Sequence, residues 1–300
     1  MSSRAGRPIV VGVDGSRTAL DAVRWAAEEA RRRGLAVRLV CAFAWADALP
    51  LEAELAARDY RTMLMATLRA RVNEAAAAVA ELAPEIRVEK EVVAGYPVQA
   101  LRAESERAAL LVLGGRGAGG VLGLLVGSVA TAMAGHAACP VVVVREPADS
   151  SAILPVVVGV DGSPHSEAAV AFGYEAASLR GVPLVAAHTW SDLLFDPQVA
   201  PMMDWDTIVT REREVLAERL AGWAEKFPDV EVRRVVVRDR PAHTLLEQAA
   251  HAQLLVVGSR GRGQLAGLVL GSVSHAVLHN APCPVAVVRA TDLPAPKDPS

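Results

Sequence analysis

The feature that most limits how this 300-residue chain folds is an internal repeat of domain size. Residues 8–16, PIVVGVDGS, return as PVVVGVDGS at residues 155–163, with one of the nine positions changed. Residues 110–145 return at 254–289, with 20 identities in 36 aligned positions. A repeat of this length indicates a duplicated domain and not a short-period solenoid. We therefore expect a first domain at residues 1–146, a linker at 147–154, a second domain at 155–291 and a disordered tail at 292–300.

Each copy alternates strand patterns with helical patterns. In the first copy, apolar runs at residues 9–13, 110–113 and 141–144 are typical of strands that are covered on both faces. The segments between them are helical in pattern, and Ser16 and Gly34 are suited to begin and end the first helix. Strands that alternate with helices predict an α/β fold with a parallel sheet.

The charge balance excludes several kinds of partner. Lys and Arg number 31 against 34 Asp and Glu, so the net charge of −3 gives no basic field for nucleic acid or an anionic membrane. The hydrophobic fraction of 52% excludes a disordered chain. Three cysteines are too few for a disulfide framework and are typical of a reducing compartment.

One uncharged stretch, residues 117–144, is long enough to span a bilayer. It is interrupted by glycines and by Pro140, and it ends in a β-branched run, so we interpret it as a loop, a buried helix and a buried strand. The first eight residues have no apolar segment typical of a signal peptide. We expect a cytoplasmic protein with no membrane partner.

Two strand ends in each copy carry residues suited to binding. The first strand is followed by Asp14, or Asp161 in the second copy, and ligands of doubly wound sheets bind at the carboxyl ends of strands. The fourth strand is followed by the spacing Gly-x2-Gly-x9-Gly-Ser in both copies. Glycines let main-chain amides approach an anion, and the Gly-Ser pair lies at a predicted helix N-terminus, which favours phosphate. The residues of this spacing are Gly114, Gly117, Gly127 and Ser128, then Gly258, Gly261, Gly271 and Ser272.

Neither glycine loop contains a lysine. The chain has only Lys90, Lys226 and Lys297, and no Walker A motif. We therefore expect the charge of a bound phosphate to be met by main-chain amides, by Arg116 or Arg260, and by a metal ion that the ligand carries.

These residues resemble the universal stress protein family, in its tandem form and its ATP-binding branch. The resemblance covers nearly the whole chain and implies two tandem doubly wound five-stranded parallel-sheet domains. The implied fold is adenine nucleotide alpha hydrolase-like, with strand order 3-2-1-4-5 and a pseudo-twofold relation between the copies. It further implies ATP as ligand, with Mg²⁺ carried by the nucleotide, a regulatory role in stress, hypoxia or dormancy, and a homodimer formed through edge strands.

The resemblance also assigns a nucleotide site to each copy. The acidic residue after the first strand contacts the nucleoside, and the glycine loop holds the phosphates. The adenine side is assigned to Gly12 and Ala44 in the first copy, with Gly159 and Thr189 as their equivalents. The nucleotide-binding residues implied are Gly12, Asp14, Ala44, Gly114, Arg116, Gly117, Gly127, Ser128, Gly159, Asp161, Thr189, Gly258, Arg260, Gly261, Gly271 and Ser272.

Two other functions stay open. One is a slow ATPase or adenylyl-transferring enzyme of the same fold, although no carboxylate or histidine lies between Gly114 and Ser128. The other is a nucleotide-free scaffold for protein partners. The loops differ at Ala118 against Arg262 and at Gly120 against Gln264, which allows unequal affinities.

Several of these residues also have purely structural interpretations. The glycine loop can be a ligand-free turn, the two aspartates can cap a turn or helix, and Ser128 and Ser272 can be helix N-caps. His275 and His279 are four residues apart on a predicted helix and are interpreted as a packed pair rather than as metal ligands. Trp45 and Trp190 are expected to end equivalent strands, where they either line the pocket or pack in the core.

Overall fold

A computed structural model describes residues 6–44, 54–117, 126–145, 153–190, 205–262 and 269–292. The chain divides into two compact units, Met1–Arg145 and Glu146–Ser300. Trp45, most of the predicted linker, the middle of each glycine loop and the tail after residue 292 lie outside the described residues.

Unit 1 is a five-stranded parallel sheet with helices between the strands. Its strands lie in the order β3-β2-β1-β4-β5, and each described pairing is parallel. The order reverses between β1 and β4, which therefore lie side by side at the switch point. The elements are β1 (Ile9–Gly12), α1 (Arg17–Arg33), β2 (Val37–Phe43), α2 (Glu54–Leu82), β3 (Val88–Ala94), α3 (Pro97–Ser105), β4 (Leu110–Gly114), α4 (Ser128–His136) and β5 (Val141–Val144).

Unit 2 has the same arrangement. Its strands lie in the order β10-β9-β6-β7-β8, with β6 and β9 adjacent at the switch point. The elements are β6 (Val156–Gly159), α5 (Pro164–Arg180), β7 (Leu184–Trp190), α6 (Trp205–Lys226), β8 (Val232–Arg238), α7 (Pro241–Ala249), β9 (Leu254–Gly258), α8 (Ser272–Asn280) and β10 (Val285–Val288).

Strands β1, β4, β5 and β10 are almost wholly buried because helices cover both faces of each sheet. All of β5 and β10 is buried, as are the first three residues of β1 and the first four of β4. This agrees with the continuous apolar runs, since only a sheet covered on both sides buries successive residues. Strands β3 and β8 contain no fully buried residue and are the outermost strands of their units on that side.

Helix α1 begins and ends where the sequence predicts. The Ser16 side chain accepts a hydrogen bond from the Ala19 N–H at 3.1 Å, and Gly34 ends the helix in the left-handed conformation. In unit 2, Ser163 and Gly181 act in the same way on α5. Among the described helices, none is both long and apolar enough to cross a membrane.

Candidate functional site

The acidic turn after the first strand has the same geometry in both units. Oδ1 of Asp14 accepts the Ser16 N–H at 2.9 Å, and Oδ1 of Asp161 accepts the Ser163 N–H at 2.9 Å. Gly15 lies between the aspartate and the serine with φ of +84°, a conformation that favours glycine. The structural interpretation of the aspartates is therefore correct for one carboxylate oxygen, which holds the turn.

The two ends of each glycine loop are joined by a main-chain hydrogen bond. Gly127 donates its N–H to the Gly115 carbonyl at 2.8 Å, and Gly271 donates to the Ser259 carbonyl at 2.8 Å. The last residues of the loop therefore lie beside its first residues, next to the end of the fourth strand. The loop ends at the N-terminus of α4 or α8.

The acidic turn and the glycine loop lie against each other. A Cβ atom added to Gly117 would lie 2.7 Å from Oδ2 of Asp14, and one added to Gly261 would lie 2.5 Å from Oδ2 of Asp161. In unit 2 the same Oδ2 accepts the Arg262 N–H at 3.1 Å. In unit 1 the Arg116 carbonyl accepts hydrogen bonds from the hydroxyls of Ser16 and Thr18, which ties the loop to the start of α1.

These segments enclose a cavity in each unit. The cavity of unit 1, cavity 1, has a volume of about 470 Å³, and cavity 2 has a volume of about 300 Å³. Cavity 1 is lined by Gly12, Asp14, Gly114, Arg116, Gly117, Gly127 and Ser128 of the predicted set, and cavity 2 by Gly159, Asp161, Thr189, Gly258, Arg260, Gly261, Gly271 and Ser272.

The predicted equivalence of Ala44 and Thr189 is wrong by two residues. Gly12 pairs with Val40, and Gly159 pairs with Ala187, so the counterpart of Thr189 is Ala42. Ala42 lines cavity 1, whereas Ala44 follows the end of β2 and is exposed. The same shift makes Phe43 the counterpart of Trp190. The prediction failed because nothing in the second strand marks its register.

The N-cap interpretation of the two serines is also wrong. The N-cap residues are Gly127 and Gly271, and Ser128 and Ser272 are the first helical residues. A glycine N-cap supplies no side chain, so the N–H groups of the first helical turn have no side-chain cap. These N–H groups lie at the end of α4 or α8 that lines the cavity.

The first glycine of each loop is required by packing. A Cβ on Gly114 would lie 2.6 Å from the Thr18 carbonyl group, and one on Gly258 would lie 2.9 Å from the carbonyl carbon of His165. Both contacts are with the backbone at the start of the first helix of the unit. These glycines therefore let that helix approach the end of the fourth strand.

Cavity 2 has a more polar lining than cavity 1. Where unit 1 has Ala19, Cys41, Ala42 and Ala130, unit 2 has Ser166, His188, Thr189 and Ser274. The Ser166 hydroxyl accepts the Asp161 N–H at 3.0 Å, and the Ser274 hydroxyl donates to the Gly258 carbonyl at 2.6 Å. The Ser166 and Ser274 side chains therefore brace the backbone around cavity 2.

His188 is the largest of these additions and is 3% exposed. Its Nδ1 lies 2.7 Å from the Val160 carbonyl oxygen, and its Nε2 lies 2.9 Å from Oε2 of Glu212. Both ring nitrogens are therefore held by protein groups. The sequence position of His188 gives no sign of this, because Glu212 comes from the distant helix α6.

Two titratable groups near the cavities have shifted pKa values. Burial raises the pKa of the Cys41 thiol, with the Arg71 guanidinium acting in the opposite direction. Burial, and then the charges of Arg260 and Arg289, lower the pKa of His165, which takes the place of Thr18 in unit 2. Both shifts favour the neutral form at neutral pH.

Arg71 lines cavity 1 from helix α2 and was not among the residues predicted from the sequence. A side chain from a long helix has no motif around it, so only its alignment with Arg219 in the second copy would have indicated a shared role. Of the other predicted groups, the rings of His275 and His279 are stacked at 4.3 Å. Trp190 ends β7 but does not line cavity 2.

A chain with two doubly wound units, each with an acidic strand end against a glycine loop, is a tandem α/β protein with two equivalent candidate sites. The model of the universal stress protein family matches residues 6–145 and 153–289. The chain belongs to this family.

Relatives of the same length have the same tandem organisation. Universal stress protein Rv1996 of Mycobacterium tuberculosis is 42% identical, with 96% of each chain covered. Universal stress protein Rv2623 of the same organism is 40% identical, with 96% of this chain and 98% of that one covered. The crystal structure of a universal stress protein from Archaeoglobus fulgidus covers 95% of this chain and 99% of its own, with a TM-score of 0.68 at 19% identity, a likeness of fold.

Proposed function

We propose that each unit binds one molecule of ATP, with Mg²⁺ carried by the nucleotide. The observation that carries this proposal is the contact between the acidic strand end and the second loop glycine, present in both units. It puts a carboxylate, bare main chain and a helix N-terminus around one cavity. The volumes of about 470 and 300 Å³ are in the range of small-molecule sites, roughly 300–1,000 Å³.

The cavity lining supports a division of roles. The glycine loop and the N-terminus of α4 or α8 offer main-chain N–H donors to phosphate oxygens. Arg116 and Arg260 supply positive charge at the same end. Asp14 and Asp161 supply acceptors for hydroxyl groups of a nucleoside, and the apolar residues Val40 and Ala42 of β2 supply surface for a base in unit 1.

The same lining favours binding over catalysis. Phosphoryl transfer requires an oriented nucleophile and a group that activates it. Among the described residues that line cavity 1, the only carboxylate is Asp14, and one of its oxygens holds the turn. In cavity 2 the added His188 is held at both nitrogens. We therefore propose a regulator that responds to bound nucleotide, active in stress, hypoxia or dormancy.

Denaturing the freshly purified protein and separating the supernatant by HPLC tests the ligand. Adenine nucleotide at up to two equivalents per chain supports the proposal. If none is released, calorimetric titration with Mg-ATP decides whether the sites were empty or do not exist. Absence of both released nucleotide and titration heat would overturn it.

We also propose that the chain forms a homodimer through edge strands. The proposal follows from the resemblance to the family and from the edge strands of the sheets, since an unpaired strand edge offers main-chain N–H and C=O groups to a second chain. Sedimentation in the analytical ultracentrifuge tests it, with a dimer expected at micromolar concentration. A monomer at all concentrations would contradict it.

A further inference from the structure

Each long helix sends one arginine to the acidic turn. A Cβ added to Gly15 would lie 2.6 Å from Nε of Arg71, a residue of α2. A Cβ added to Gly162 would lie 2.4 Å from Cζ of Arg219, a residue of α6. The two arginines therefore occupy the same place in their units, against the glycine of the turn.

The two arginines differ in what they bind. Nη1 of Arg219 donates to Oε1 of Glu167 at 2.8 Å and to the Gly162 carbonyl at 3.4 Å. Among the described residues that line cavity 2, none comes from α6. Arg71 lines cavity 1, and it makes no hydrogen bond or ion pair within the described part of the chain.

One substitution between the copies explains the difference. Glu167 is the fourth residue after the capping Ser163, and the fourth residue after Ser16 is Leu20. Leucine has no group that binds a guanidinium. In unit 1 the Arg71 side chain is therefore available to the cavity. In unit 2 the Arg219 side chain is paired with Glu167 of α5.

We propose that Arg71 is a ligand-binding residue of unit 1 and that Glu167 withholds its counterpart Arg219 from the ligand of unit 2. The inference rests on the proposed function, because it assumes an anionic nucleotide in each cavity. A half-buried guanidinium donates strong hydrogen bonds to anionic groups. Recruiting Arg219 for the same purpose requires breaking its ion pair with Glu167.

Reciprocal substitutions test this inference within each unit. Comparison within a unit is needed because the loops also differ at Ala118 and Arg262. Unit 1 is measured alone in the Gly261→Val background, and unit 2 alone in the Gly117→Val background. The readout is the Kd for Mg-ATP by isothermal titration calorimetry, with thermal melting as the check on folding.

In unit 1, Arg71→Met and Leu20→Glu are each expected to weaken binding about tenfold, the effect of one hydrogen bond to a charged group. The double variant should be no weaker than Arg71→Met alone, since the introduced glutamate acts through Arg71. In unit 2, Arg219→Met should leave the Kd unchanged. Glu167→Leu should tighten binding several-fold, because the released arginine reaches the ligand.

The outcomes separate this inference from the proposed function. Binding of Mg-ATP to unit 1 with an unchanged Kd in Arg71→Met overturns the role of Arg71 alone. A further loss when Leu20→Glu is added to Arg71→Met indicates direct repulsion of the ligand and also overturns it. If neither unit binds Mg-ATP before these changes, the proposed function fails, and this inference with it.

Discussion

Oδ2 of Asp14 lies where a side chain on Gly117 would begin, at 2.7 Å from the position of its Cβ. The two residues are about a hundred positions apart in sequence and come from strands that are neighbours at the switch point of the sheet. The second copy repeats the relationship between Asp161 and Gly261 at 2.5 Å. A glycine at this position therefore avoids a clash with the carboxylate and keeps the space beside it open.

The carboxylate charge can be tested without loss of the turn. Asp14→Asn keeps an oxygen that can accept the Ser16 N–H, so the change in unfolding free energy should stay within about 0.5 kcal/mol. The affinity of unit 1 for Mg-ATP, measured by calorimetry in the Gly261→Val background, should fall about tenfold because an anionic acceptor is lost. Asp21→Asn, which changes a carboxylate of α1 paired with Arg24, is the control. Equal affinities of the two variants would contradict the role of Asp14.

The first and third loop glycines should respond differently to a methyl group. Gly114→Ala puts a Cβ 2.6 Å from the Thr18 backbone, and overpacking of this kind costs about 1–3 kcal/mol. Gly127→Ala meets nothing closer than 3.7 Å and keeps an ordinary backbone conformation, so its cost should be about 1 kcal/mol or less. Urea unfolding of the two variants measures the difference. A larger cost for Gly127→Ala would contradict the packing role of Gly114.

The sequence predicted the parts of the fold that depend on local pattern. Apolar runs marked the strands, and Ser16 with Gly34 marked the ends of α1, because strand burial and helix capping are set by residues close in sequence. The strand order 3-2-1-4-5 that the family resemblance implies places Asp14 and the glycine loop at the ends of adjacent strands. Its glycines and the acidic turn do line one cavity in each unit.

The parts that were missed depend on contacts distant in sequence. The register of β2 was predicted two residues too late, because a two-residue shift keeps each side chain on the same face and the apolar pattern alone does not distinguish the two positions. The pair of Arg219 with Glu167 joins helices α6 and α5, and no local pattern indicates which arginine finds a carboxylate. For the same reason, only the three-dimensional structure reveals that Arg219 is paired with Glu167 whereas Arg71 lines cavity 1.

His243 offers a test of surface electrostatics away from the cavities. Its Nδ1 lies 2.6 Å from Oδ2 of Asp239, and this hydrogen bond raises the pKa of His243 and lowers that of Asp239. The raised pKa stabilises the fold below the unfolded value of about 6.5, and that contribution is lost as pH rises through the folded pKa. An NMR titration of the imidazole should give a midpoint above 6.5, and Asp239→Asn should lower it. An unshifted midpoint in the native protein would contradict this pairing.

The three cysteines should be unreactive while the chain is folded. Cys41, Cys139 and Cys283 are buried and form no disulfide, and burial also raises the pKa of Cys41, which reduces its thiolate fraction. Ellman's reagent at pH 8 should therefore detect little thiol in the native protein and all three in guanidinium. The Arg71 guanidinium lowers the pKa of the Cys41 thiol, so Arg71→Met should raise that pKa and make Cys41 no more reactive. Rapid labelling of a native thiol would contradict the described packing.

Nucleotide binding by both units depends most on the second loop glycine of each unit, and calorimetric titration with Mg-ATP tests this directly. The unmodified chain should bind two nucleotides, Gly117→Val and Gly261→Val should each bind one, and the double variant should bind none. Gly222→Ala is the control, because a Cβ at this position in α6 meets nothing within 4 Å. Two sites retained in both single variants, with the control unchanged, would contradict the account.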